Sequence, residues 1–66
     1  MEIRVNGTPR QVDDDLTVAA LLLLVEAPAT GVAVAVDSAV VPRAEWSTTS
    51  VHEGAVVEIL TAVQGG

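Results

Sequence analysis

The chain has no cysteine, no phenylalanine and no tyrosine, and its three basic residues are all arginines: Arg4, Arg10 and Arg43. Without thiols there is no disulfide framework, no thiolate zinc site and no sulfur nucleophile, a usage that fits a reducing compartment. Without lysine there is no side-chain amine for Schiff-base chemistry or for attachment to a sibling molecule. His52 is the only histidine, and with no cysteine or second histidine beside it a metal site is not expected. Positive charge is scarce as well. Three basic against nine acidic residues give a net charge of −6, which repels phosphate backbones and anionic membrane surfaces and fits either a basic protein partner or surface acid that simply maintains solubility. The longest apolar run, residues 18–25, falls far short of the ~20 residues of a membrane span. The opening Met1-Glu2-Ile3-Arg4-Val5 has no basic region leading into an apolar stretch, so no targeting segment is expected and the protein is placed in the cytoplasm.

What remains is a compact apolar chain. Sixty-six residues make one small domain, which can bury about 60% of the surface its unfolded chain exposes. A hydrophobic fraction of 50% is too high for a disordered chain. So small a core leaves no room for a large catalytic cleft, and paired carboxylates working as acid and base need one. Asp13-Asp14-Asp15 is accordingly read as a solvated turn before a helix.

Residues 2–6 alternate, with Ile3 and Val5 on one face and Glu2, Arg4 and Asn6 on the other, the period of a half-buried strand. Asn6-Gly7 tolerates positive φ at both positions and predicts a hairpin. The return strand runs over about residues 8–12, with Pro9 placing it at a sheet edge. Thr17 is a helix N-cap with Leu16 and Leu21 at the staple positions, and the aspartates before it favour the positive end of the helix dipole. Val18, Leu21, Leu22 and Val25 mark the buried face, and Pro28 and Gly31 end the helix near Ala27. Val32, Val34 and Val36 form a third strand with Ala33 and Ala35 on its second face. Asp37-Ser38 is a turn, Val40-Val41 a short extended piece, and residues 43–46 a helical turn or loop. A polar connector over 48–50 and a turn at Glu53-Gly54 lead to a last strand over about 56–62. This order predicts an α+β roll with a mixed four- to five-stranded sheet and one main helix packed on one face.

The chemistry is expected at the end of the chain. The last strand runs into Ala62-Val63-Gln64-Gly65-Gly66. At ~7% glycine usage a terminal Gly-Gly arises by chance at about 0.5%, so it is treated as a signal. A dipeptide without side chains can thread a narrow channel and place its carboxylate in a partner's active site. A terminal carboxylate has a pKa of about 3.3–3.7, so near neutral pH it is an anion and a poor electrophile until it is converted to a mixed anhydride. Residues 1–62 are then the folded domain and residues 63–66 a flexible tail.

A domain of this length and ending resembles the ubiquitin-like sulfur carriers of β-grasp fold, most closely the ThiS family of thiamin-thiazole biosynthesis. The resemblance covers the whole chain. It rests on the opening strand with Asn6-Gly7, the Thr17-Val18 helix start, the run Val40-Val41-Pro42-Arg43-Ala44-Glu45-Trp46, Glu53-Gly54 before Val57-Glu58-Ile59-Leu60, and Gly65-Gly66. The Val-Pro-Arg-x-x-Trp run sets it apart from the molybdopterin carriers. The family's usual Gly-Asp before the last strand is Gly54-Ala55 here. The resemblance implies a protein co-substrate, not an enzyme, with no bound cofactor. A ThiF-like adenylyltransferase would use ATP and Mg²⁺ to adenylate the Gly66 carboxylate. Sulfur derived from a cysteine desulfurase would then replace AMP to give a thiocarboxylate, and a ThiG-like thiazole synthase would take that sulfur.

Two apolar patches stand outside the predicted core. Leu23 and Leu24, with Ala19 and Ala20, point away from the buried helix stripe, where a surface helix normally carries charge. On the last strand Val57 and Ile59 face the helix, which turns Leu60 and Ala62 outward. Leu60, Ala62 and Val63, continuing into Gln64, Gly65 and Gly66, are expected to contact the adenylating enzyme. Trp46 covers one end of the core, and Arg43 either pairs with an acidic neighbour or docks a partner. Three other functions share the terminal glycines: a carrier for another pathway (molybdopterin or cysteine synthesis), a ubiquitin-like protein modifier, and a plain binding module.

Overall fold

A computed structural model describes residues 1–62 of the chain; the sequence-predicted tail, 63–66, lies outside the described residues. Strand β1 (Glu2–Val5) alternates as its sequence demands, Ile3 and Val5 buried and Glu2 and Arg4 exposed. Asn6 and Gly7 take φ values of +50° and +84°. Two successive left-handed residues match the twist of the flanking strands, and the chain returns as β2 (Thr8–Gln11), antiparallel to β1.

Helix α1 (Val18–Leu24) begins with its free backbone N–H groups individually satisfied. Thr17 Oγ1 accepts from the Ala20 amide at 3.1 Å. Val18 and Ala19 donate to the carbonyls of Thr49 and Trp46, both at 2.9 Å. The polar connector is therefore a cap for the helix start, whose first N–H groups have no partner within the helix itself. The helix ends earlier than Pro28 implies. Glu26 turns left-handed at φ +58°, its amide donates to Leu23 at 3.1 Å, and Ala27 donates to Leu22 at 2.9 Å. This paired closure finishes the last turn before Pro28 can limit it, with glutamate where glycine is usual.

Strand β3 (Val32–Val36) turns through Asp37 and Ser38, both at positive φ, into β4 (Ala39–Val40). Val41, expected to be extended, follows β4 and turns inward; it is 9% exposed, and its amide donates to Val34 at 2.9 Å. One turn of 3₁₀ helix, Arg43–Glu45, comes next. Strand β5 (Val56–Thr61) closes the sheet, one residue shorter than the sequence pattern suggests.

The five strands lie in the order β2-β1-β5-β3-β4, with β1 and β5 parallel and every other neighbouring pair antiparallel. Pro9 thus sits on an edge strand, where its missing N–H costs no ladder bond. The single core contains Ile3 and Val5 from β1, Val18, Leu21 and Leu22 from α1, Val34 from β3, and Val57 and Ile59 from β5. Trp46 packs half-buried against that core, its indole N–H donating to the Val41 carbonyl at 2.9 Å.

Candidate functional site

Strand β5 occupies the middle of the sheet, gripped on both sides. Its register with β3 runs from Val32 opposite Thr61 to Val36 opposite Val57. On the other side the parallel pairing covers only Arg4 opposite Val56 and Val5 opposite Val57. Beyond that point the Asn6 side chain takes over. Ile59 N–H donates to Asn6 Oδ1 at 2.8 Å, and Asn6 Nδ2 donates to the Ile59 carbonyl at 3.0 Å. One amide supplies both a donor and an acceptor and so imitates the next backbone rung after β1 has turned away.

The strand then leaves the sheet beside Gly31, whose carbonyl accepts from the Ala62 amide at 2.8 Å. Gly31 has φ +73°, a left-handed conformation that favours glycine, while a Cβ there would make only ordinary contact with the Ala62 Cβ, at 3.4 Å.

Alternation along β5 buries Val57 and Ile59 against the helix and turns Val56, Glu58 and Leu60 to the outer face of the sheet. Leu60 is 67% exposed, and Ala62 is exposed just past the strand. The other expected contact residues, Val63, Gln64, Gly65 and Gly66, lie outside the described residues.

The structure adds residues that sequence reading did not join to this site. Register places Ala33 opposite Leu60, Ala35 opposite Glu58, and Val40 opposite Ala35. Val40 is 76% exposed. These side chains line a shallow depression of about 100 Å³, smaller than the few hundred Å³ of ordinary small-molecule sites. Of the expected helix patch, Leu23 and Leu24 are exposed, at 81% and 52%, whereas Ala19 and Ala20 are half-buried.

Among the described residues Arg43 pairs with no acidic neighbour. Its guanidinium donates to the Ala29 carbonyl at 2.7 Å and lies 5.3 Å from the Trp46 ring centroid, fastening the segment after α1 to the 3₁₀ turn. Asp13, Asp14 and Asp15 are exposed, and Asp14 accepts weakly from the N-terminal ammonium at 3.4 Å. Among the described residues no group of three or more His, Cys, Asp or Glu gathers around a common point, and no helix is long and apolar enough to cross a membrane.

His52 is exposed, as a loop histidine should be, yet it is held at both ring nitrogens. Nε2 meets Asp37 Oδ2 at 2.5 Å, and Nδ1 lies 2.8 Å from the Glu53 carbonyl. Asp37 Oδ1 also accepts from the Val56 amide at 2.9 Å, so the pair ties the β3–β4 turn to the start of β5. The Asp37 hydrogen bond, then the Glu53 carbonyl, raise the His52 pKa above its ordinary value. The Val56 amide, then His52, lower that of Asp37.

The raised histidine contributes stability that is complete below about pH 6.5 and is lost as pH rises through its folded pKa. The lowered aspartate contributes stability present above about pH 4 and lost as pH falls through its own. The stabilising effect of the pair, read as the Tm difference between wild type and His52→Gln, is expected to be greatest between those limits and to fade on either side. A difference that stays flat from acid to alkaline pH would refute this.

Comparison with known proteins bears on the whole chain. The ThiS family model matches residues 3–66. The crystal structure of the thiamine biosynthesis protein (ThiS) from Geobacter metallireducens is similar over 100% of both chains, at 36% identity and a TM-score of 0.85. The solution structure of a thiamine biosynthesis protein from the same organism covers 100% of this chain and 88% of its own, at 33% identity and a TM-score of 0.82. No curated protein matches the chain. The mixed five-stranded sheet with one helix is thus the β-grasp arrangement expected from the sequence.

Proposed function

Because the chain belongs to the ThiS family, we propose that it carries sulfur for thiamin biosynthesis as a thiocarboxylate on Gly66. The observation that supports this most directly is the course of β5. The central strand of the sheet is fixed on both edges by β3, β1 and Asn6, and in the sequence its last residue, Thr61, stands five positions before Gly66. A strand held this firmly gives the reacting group a fixed anchor on the folded domain, as a protein co-substrate requires.

The reaction follows from the carboxylate. As an anion near neutral pH it resists attack until its oxygen is made part of a leaving group. A ThiF-like adenylyltransferase supplies ATP and Mg²⁺, forming the acyl-adenylate of Gly66 and releasing pyrophosphate. The terminal sulfur of a persulfide derived from a cysteine desulfurase attacks the acyl carbon and AMP leaves. A thiol then cleaves the S–S bond to free the thiocarboxylate. A ThiG-like thiazole synthase accepts that sulfur. The chain's own residues position the tail: Leu60, Ala62 and Val63 contact the adenylating enzyme, while Gln64, Gly65 and Gly66 enter its active site. ATP, metal and sulfur donor all belong to partner proteins, so this chain is a substrate of the pathway and not one of its enzymes.

Intact-mass measurement after incubation with the adenylating enzyme, Mg-ATP and the sulfur donor tests the reading. Replacement of one oxygen by sulfur is expected in the wild type and no change in the chain lacking Gly66. A large covalent adduct would identify a protein modifier instead, and an unaltered wild-type mass a plain binding module.

A further inference from the structure

The outer face of β5 carries one charge amid apolar side chains. Glu58 lies between Val56 and Leu60 along the strand, 46% and 67% exposed, and opposite Ala35, which is itself opposite Val40. Among the described residues Glu58 makes no ion pair. The arginine nearest in register is Arg4, opposite Val56, and its guanidinium donates to the Gly7 carbonyl at 3.3 Å.

Any partner that covers Leu60, Val40 and Ala33 must also cover Glu58. A carboxylate enclosed by apolar groups is strongly disfavoured unless a cation meets it. We propose that Glu58 sets the register of docking by pairing with an arginine or lysine that the adenylating enzyme places at the centre of an otherwise apolar contact surface. This deepens the sulfur-carrier reading and rests on it. It also specifies the partner's surface: apolar, with a single central positive charge, complementary to a carrier of net charge −6. Such a charge selects among partners by what it rejects, since an apolar surface lacking the cation would leave the carboxylate unpaired.

The test is pyrophosphate release by the adenylating enzyme as a function of carrier concentration. Glu58→Arg is expected to raise the KM for the carrier at least tenfold with kcat at saturation unchanged, and Glu58→Gln to raise it less. The wild-type KM should climb with salt more steeply than that of Glu58→Gln. Reversing the facing cation on the enzyme should restore Glu58→Arg, a rescue that a merely structural role for Glu58 would not produce. The same KM for wild type and Glu58→Arg, with wild type active, would overturn the pairing and leave the carrier reading intact. A wild type that releases no pyrophosphate would overturn the carrier reading itself. Calorimetric titration of the enzyme with each carrier then judges the pairing independently: equal affinities reject it, and weaker binding of Glu58→Arg supports it.

Discussion

Leu60→Glu is expected to lower kcat/KM for adenylation of the carrier by about 100-fold or more while leaving the fold in place. Leu60 is 67% exposed on the outer face of β5, so its substitution removes little from the core and should change stability by no more than about 0.5 kcal/mol. In the proposed complex with the adenylating enzyme the side chain would be covered. Losing a buried leucine forfeits about 2 kcal/mol, and desolvating a carboxylate in its place costs at least about 1–2 kcal/mol more. A total near 3 kcal/mol is about a hundredfold. The new carboxylate would also stand two residues from Glu58, so one cation on the partner would face two anions. The loss should fall on KM, because Leu60 is six residues from Gly66, the group proposed to react. Circular dichroism and thermal melting check the fold, and pyrophosphate release at varied carrier concentration checks the transfer. Wild-type kinetics for this variant would remove the outer sheet face from the docking surface.

Much of the architecture behind that argument could be read from the chain. The alternation of Ile3 and Val5, the Asn6-Gly7 turn, the Thr17 cap and the Val18-Leu21-Leu22 stripe are local signals. Each depends on residues within one turn or one strand of its neighbour, and the structure places each as its pattern requires. Leu60 and Ala62 were legible for the same reason. Their outward direction follows from the period of two once Val57 and Ile59 are buried.

What escaped the sequence depends on contacts between distant segments. Ala33, Ala35 and Val40 join Leu60 only through the registers of β3 with β5 and β4, and no local pattern fixes a strand order. Asn6 declared itself as a turn residue, but its second role, bracketing Ile59 across a sequence separation of 53, required the parallel pairing of the first and last strands. The Asp37–His52 pair spans 15 positions between two loops. The helix end was misjudged for a different reason. Glutamate at a left-handed position is uncommon, so Pro28 looked like the first stop signal when Glu26 had already closed the last turn. Arg43 offered a charge that seemed to want an acid, and it found a carbonyl and an indole ring.

Two leucines two positions apart on α1 should respond to the same substitution very unequally. Leu21 is fully buried, in one cluster with Ile3, Val34 and Val57, whereas Leu23 is 81% exposed. Leu21→Ala removes buried methyl groups and leaves a cavity, which costs about 2.5–5 kcal/mol. A chain of 66 residues has about 3–10 kcal/mol to lose. The variant should therefore melt about 10–40 °C lower, with a large fraction unfolded under mild denaturant. Leu23→Ala exchanges one good helix former for another at a solvated position and should stay within about 0.5 kcal/mol of wild type. Thermal melts of the two variants side by side decide the matter, and equal shifts would mean that the helix does not present its 18-21-22 face to the sheet. Function adds a second contrast. Leu21 touches no part of the outer sheet face, so Leu21→Ala assayed well below its melting temperature should still be adenylated at the wild-type rate. On the proposed reading the core holds β5 in place, and the outer sheet face brings the enzyme to the end of that strand.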